Sequence, residues 1–342
     1  MQEWFLPNAH RISIIPDLEE IYLKEPDPGI HASAEWLLKT WNQQPFINKT
    51  NESWQQDKEL TLKRQKEIKN LLDKEKEKSL KQWYVNGQGQ TMVVIPGPVE
   101  FLMGSPDVEE VGRPSNVSQH KRKIGRSFEI SNKGVTLTQY KQFDAKYTLD
   151  AKYVRSGDLP VVAINYYMAA KYCNWLNEKE GIPEDQWCFE INKQGETIVK
   201  KDYLSLKGYR LPTEAEMEYT NRAGSISSRY FGDTSALLLK YAWLQKNSND
   251  QPWPVGSLKP NDFGLFDTQG NCFTWCMDEY GNYPDGTGED NLEGTKVLDS
   301  NLRVLRGGTH GLLESEARSY GRGGSAPADR YVTSGFRLAR TP

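Results

Sequence analysis

The chain has 342 residues, room for two domains or for one large domain with an appendage, and its formal net charge is −3. With 26% charged and 37% hydrophobic residues, no global field draws it onto nucleic acid or an anionic membrane. No apolar run approaches the roughly 18 residues a membrane span needs, and the N-terminus lacks both a basic head and a signal core, so a cytoplasmic address is the default expectation.

Four cysteines (Cys173, Cys188, Cys272 and Cys276) are too few for a disulfide framework. Cys272 and Cys276 have a C-x₃-C spacing that suits half a zinc site, but no second pair completes it, so they read as buried thiols. No metal and no cofactor are expected.

In chain order, Asp27-Pro28-Gly29 is a turn in front of a helix that carries Ala34, Leu37, Leu38 and Trp41 at helical spacing. Trp54 to Trp83 reads as one charged helix with a thin stripe of Ile68, Leu71, Leu72 and Leu80. Its lysines, from Lys58 through Lys74, Lys76 and Lys78 to Lys81, alternate with carboxylates, which describes a solvated face better than a nucleic-acid surface. Composition changes near Tyr84, which divides the chain into a helical extension (1–83), expected to dock, and a second domain (84–342). The second domain is expected to fold alone, and the extension alone to bury too little to do so.

Thr91 to Gly97 is predicted as a buried strand with Val99 to Ser105 as its hairpin partner. A short helix follows that Thr138 could cap, with Tyr140 and Phe143 on its apolar face. Ala163 to Gly181 is the clearest helix, with Met168, Tyr172, Trp175 and Leu176 on one face. Trp187 to Ile191 is a strand candidate, and Arg210 to Gly224 is a helix with a Thr213–Glu216 capping box. Regular structure is sparse after Arg229.

Seven phrases occur in order: MVVIPGPVEFLMGSP, GVTLTQYKQF, YCNWLNEKEGIP, GYRLPTEAEMEY, WPVGSLKPNDFGLFDTQGNCFTW, RVLRGG and GFRLAR. Together they resemble the formylglycine-generating enzyme (sulfatase-modifying factor) family from Tyr84 to the end. The resemblance implies an α+β fold, an irregular variant of the C-type lectin fold. Within it, Glu214, Glu216 and Glu218 are expected to meet loop amides and arginines, with Arg306, Arg337 and Arg340 as candidate partners.

Family members that oxidise the cysteine of a CxPxR peptide to formylglycine hold copper between two cysteines after the RGG phrase. Here no cysteine lies beyond Cys276, and soft thiolates cannot simply be replaced by other side chains. The family phrase GN-V-W-E-W, which helps to bind a structural calcium, has Thr274 where its glutamate stands, leaving Asn271 and carbonyls. The H-x₃-H-x-E iron motif of another branch is also absent from His10, His31, His120 and His310. No catalytic residue is assigned.

The segment between RGG and GFR, which binds substrate in active members, offers His310, Glu314, Glu316, Arg318, Tyr320, Arg322, Asp329, Arg330 and Tyr331 among glycines. That mixture suits a recognition surface, with Tyr320 and Tyr331 as exposed rings. The expected function is therefore a non-catalytic regulatory or adaptor module that binds a protein or peptide, with no nucleic acid or membrane partner. The rivals are an oxidase with an unrecognised metal site and a variable ligand-binding protein diversified by a retroelement.

Overall fold

The computed structural model describes residues 7–74, 81–105, 117–283, 288–289, 297–298 and 300–342. Four helices come first: α1 (Asn8–Lys24), α2 (Pro28–Thr40), α3 (Gln44–Gln56) and α4 (Lys58–Leu72). Asp27 caps α2 by accepting from the Gly29 and Ile30 N–H groups, as its turn chemistry predicts. Leu18, Tyr22, Ala34, Leu38 and Ile47 form a small core among these helices.

The single charged helix expected from Trp54 to Trp83 is instead two helices and part of a strand. Asp57 leaves helical geometry (φ −89°, ψ 81°) and caps α4 through the Leu60 N–H. Trp83 belongs to β1 (Gln82–Val85), whose aromatic and β-branched residues pair antiparallel with β2 (Thr91–Ile95). Lys76, Lys78 and Leu80 lie outside the described residues.

β2 does not form the expected hairpin with β3 (Val99–Met103). It lies between β1 and β5 (Phe128–Ser131), while β3 pairs with β4 (His120–Ile124). All five residues of β2 are buried, so it takes a central place with a neighbour on each side. The helix α5 (Leu137–Phe143) is capped by Thr136, with Gln139 completing the box, rather than by Thr138. α6 (Tyr166–Glu180) buries Tyr172 and Leu176 and half-buries Met168 and Trp175. β6 (Phe189–Ile191) and β7 (Thr197–Val199) form a separate hairpin beside α6.

After α7 (Glu214–Arg222) and the short α8 (Gln245–Ser248), the chain is mostly irregular. β8 (Phe273–Glu279) precedes β9 (Gly288–Glu289), which pairs with β4. β10 (Arg303–Arg306) lies between β8 and β11 (Arg322–Ser325), and β12 (Ser334–Gly335) joins the far side of β8. β13 (Ala339–Arg340) returns to β5, so the last residues close the first sheet. Among the described residues, no helix is long and apolar enough to cross a membrane.

The helical extension is bonded to the second domain along a definite seam. Trp83 is fully buried, stacks on His31 (ring centroids 3.6 Å apart) and donates from Nε1 to the Glu25 carbonyl (2.8 Å). His31 stacks in turn on Tyr22 at 4.6 Å, and the Arg64 guanidinium covers the other face of Trp83 at 3.8 Å. Burial draws the His31 pKa down to about 3, so a neutral imidazole sits inside this stack. A Cβ on Gly29 would fall 2.4 Å from the Asp262 carbonyl oxygen, a contact only glycine permits. Glu35 of α2 reaches Lys133 of the second domain at 2.7 Å; against the effect of burial, Lys133 and Lys39 keep its carboxyl well below the usual carboxylate range.

The second constraint is a set of buried ion pairs around α7, which opens with the predicted Thr213–Glu216 capping box. Glu216 accepts two bonds from Arg210, each 2.7 Å, and one from Arg126 at 2.5 Å. Glu218 takes Arg306 (2.8 Å), Arg222 (2.9 Å) and the Gly104 N–H (2.7 Å). Glu214 takes Arg322 (2.6 and 2.7 Å) and Arg306 (2.9 Å). Of the three arginines expected here, only Arg306 takes part. Arg337 donates to the carbonyls of Asn132, Phe266 and Asp267, and Arg340 lies beside Glu129 at 3.4 Å.

Two outcomes follow from the seam and the ion pairs. Trp83→Ala should lower stability by about 3–5 kcal/mol in a denaturant titration, the cost of emptying a large aromatic site; an unchanged midpoint would mean the seam carries no load. Burial alone would raise the Glu216 pKa, but Arg210 and Arg126 overcome it and hold the group at about 2. Its stabilisation is therefore complete above its ordinary value of 4.5 and is lost as pH falls towards 2. Glu216→Gln should cost about 3–5 kcal/mol at neutral pH by leaving Arg210 unpaired, and should flatten the acid limb of the stability profile.

Candidate functional site

Arg306, anchored on α7, delivers Gly307 and Gly308 in left-handed backbone (φ 87° and 73°). The Gly307 carbonyl accepts from the Gly270 N–H at 2.6 Å, and a Cβ on Gly308 would lie 2.6 Å from Leu312 Cδ1. The RGG turn thus presses the following segment onto the body of the domain. That segment runs without regular structure until β11, and it encloses a cavity of about 170 Å³.

Gln269, Phe273, Leu312, Ala317, Arg318 and Tyr320 are among the cavity's walls. Its volume is close to that of an engineered protein cavity that admits a benzene-sized group. Gln269 is 2% exposed; its Nε2 donates to Ser319 Oγ (2.9 Å), whereas its Oε1 has no partner.

Of the eight residues singled out as partner-binding, three line this cavity: Glu316, Tyr320 and Arg322. Two of these differ from expectation. Tyr320 is 2% exposed, because the glycines around it fold the segment inward instead of presenting the ring. Arg322 is committed to Glu214, to the Gly281 carbonyl (2.6 Å) and to the faces of Tyr280 and Tyr283, so its planar donors are spent within the protein.

The other five do not gather there. His310 is buried, bonds the Asn271 carbonyl through Nδ1 (2.9 Å) and has a pKa lowered by burial. Glu314 pairs with Lys246 at 3.0 Å, and Asp329 caps a turn by accepting from Ser325 Oγ and the Ala326 N–H. Arg330 donates to the Ala163 carbonyl, while Tyr331 is 54% exposed, as predicted. The walls at Gln269, Phe273, Leu312 and Ala317 were missed; the only signal in the sequence was the paired glycine that bends the segment over them.

The residues present do not fit copper. Leu312 and Ala317, inside the post-RGG segment, pack with Leu238, Ala242 and Leu244 in an apolar cluster, and hydrocarbon ligates no metal. The thiols lie elsewhere: burial pushes Cys272 up to about 12, Cys188 to about 11, and Cys173 and Cys276 well above their ordinary value. Protonated thiols are poor ligands for soft metals.

Calcium fits no better at Asn271. Its Oδ1 accepts from the Trp253 N–H and its Nδ2 donates to the Trp253 carbonyl, both at 2.9 Å. Thr274 is buried on β8 in place of a charged ligand. Among the described residues, no group of three or more His, Cys, Asp or Glu side chains is arranged to hold a metal ion.

The sequence and the overall fold are similar to those of known proteins. The model of the sulfatase-modifying factor enzyme 1-like domain matches residues 76–342. The chaperone protein LppX of Paenibacillus barcinonensis is 27% identical over 191 residues, which cover 45% of this chain and 67% of that protein. The formylglycine-generating enzyme of Streptomyces coelicolor is 32% identical over 157 residues, 40% of this chain and 48% of the enzyme, so the match spans about half of that relative. Among solved structures, Treponema denticola variable protein 1 superposes with a TM-score of 0.63 at 26% identity, covering 77% of this chain and 99% of its own. The apolar post-RGG cluster therefore sits on a known scaffold, and the chain belongs to the sulfatase-modifying factor enzyme 1-like family.

Proposed function

We propose that this family member is a non-catalytic binding domain, a regulatory or adaptor module that recognises a protein or peptide through the segment between Gly308 and Gly335. One observation carries the reading: Leu312 and Ala317 fill with hydrocarbon a segment in which catalytic relatives place copper-binding thiols. Beside that cluster lies a side-chain-sized cavity with Gln269 among its walls, and an exposed ring, Tyr331, stands elsewhere on the same segment.

In this reading the cavity admits one side chain of the partner, the Glu316 carboxylate selects polar or cationic groups at its mouth, and Tyr331 adds contact area at low entropic cost. The N-terminal helices, held by the Trp83 seam, serve as an arm presented in a fixed orientation. A second reading is a variable ligand-binding protein, favoured by the 99% coverage of the Treponema variable protein; a reverse transcriptase gene and a near-copy template beside the gene in its host would support it.

The test uses affinity capture from the native host, followed by titration of the recovered partner. Ser315→Trp, which fills the cavity, and Tyr331→Ala should each weaken binding by about 1–3 kcal/mol with little change in melting temperature. Lys74→Ala on the exposed helical arm should change it little. If arm substitutions abolish binding while both segment variants bind normally, the arm is the interaction site and the proposal fails.

A further inference from the structure

The seam beneath the N-terminal helices holds a histidine in one protonation state. His31 of α2 is fully buried between the rings of Tyr22 and Trp83, with the Trp54 ring 6.3 Å away. Its Nδ1 lies 2.9 Å from the Tyr22 carbonyl oxygen, and a carbonyl only accepts, so the proton sits on Nδ1. Nε2 is buried and has no partner. A second proton would have to go there, where no protein acceptor meets it.

The charges around the ring come from several elements. Aromatic faces favour a cation. Trp83, however, also carries the Arg64 guanidinium of α4 at 3.8 Å, and Lys133 of the second domain adds a further positive charge. Burial therefore draws the His31 pKa from 6.5 to about 3, against the pull of Glu35, whose carboxylate is bound by Lys39 at 2.9 Å and Lys133 at 2.7 Å. Against its own burial, those two lysines keep Glu35 charged well below its ordinary value of 4.5. Lys133 and Arg64, drawn down by burial to about 8 and about 10, stay protonated below neutrality, and burial keeps the Tyr22 hydroxyl un-ionised. Between pH 6.5 and 4.5, His31 is the group of this cluster whose charge responds.

We propose that His31 makes the docking of α1 and α2 acid-sensitive, so that these helices loosen from the second domain as pH falls from neutral towards 5 while that domain stays folded. The released ring takes the second proton that the docked ring has no place for. A group whose pKa is lower docked than released gives its full stabilisation above the released value and loses it as pH falls, here from 6.5 towards 3. Each pH unit in that window moves the docking equilibrium about tenfold towards release. α4 does not share the change, because Ile68 belongs to the large core of the second domain. The Glu216 pairs of α7 also persist, since that carboxyl is held at about 2. The inference concerns how the helices are held and does not rest on what the post-RGG segment binds.

Amide hydrogen exchange of the full chain, read by mass spectrometry between pH 7.5 and 5 and corrected for intrinsic rates, tests the proposal. Opening of α2 should rise about thirtyfold across that range while α7 keeps its protection. His31→Gln, whose amide can donate to the Tyr22 carbonyl and does not titrate, should remove the dependence. His310→Gln, at the buried histidine of the second domain, should leave the α2 response unchanged, which assigns it to the seam. An NMR titration of ¹³C-labelled histidine needs no variant: the His31 signal should remain that of a neutral ring down to pH 5 wherever α2 is protected. Flat α2 protection from pH 7.5 to 5, loss of α2 and α7 protection together, an unchanged slope in His31→Gln, or a His31 signal that titrates near 6.5 with α2 still protected would overturn the proposal.

Discussion

Charge burial around α7 is the interaction on which the rest of the second domain depends. Glu214, Glu216 and Glu218 are all buried within a nine-residue helix. Removing each carboxylate from water costs several kcal/mol unless it is matched, so partners must be brought from distant parts of the chain. Arg126, Arg210, Arg222, Arg306 and Arg322 meet that demand, with sequence separations from 4 residues (Arg222–Glu218) to 108 (Arg322–Glu214). A domain with so little regular structure after α7 is held in shape by these directional pairs as much as by its apolar core.

The same pairs position the segment that follows the RGG turn. Arg306 fixes the start of the post-RGG stretch and Arg322 fixes its return, so the loop between them hangs from two anchored points on one helix. Its interior is then free to vary in chemistry without loosening the scaffold. In this chain the interior holds an apolar cluster and a small, mostly apolar cavity. The seam at Trp83, His31 and Glu35 does similar work for the N-terminal helices, tying them to the rest of the chain.

Local signals were legible in the sequence and long-range ones were not. The Thr213–Glu216 box, the Asp27 cap and the α6 stripe depend on residues a few positions apart, and each is present in the structure. The family phrases, each a short run read in order along the chain, carried the fold class. β1 was hidden because Gln82 to Val85 directly follow a lysine-rich run whose charge dominates any window. Tyr320 and Arg322 looked like surface residues because glycines surround them, but Tyr320 is buried and Arg322 is bound by Glu214, 108 residues away in the chain. Composition reports which side chains are available, and only topology decides which of them water can reach.

The central claim is that the post-RGG segment binds and does not oxidise. Its most direct test is incubation of the purified full chain, supplied with copper(I) and oxygen, with a CxPxR peptide, followed by mass spectrometry of the cysteine. The account predicts an intact thiol at the level of a protein-free control, because Leu312 and Ala317 offer no ligand and every thiol in the chain is buried or protonated. Copper-dependent conversion of that cysteine to formylglycine above the control would contradict it.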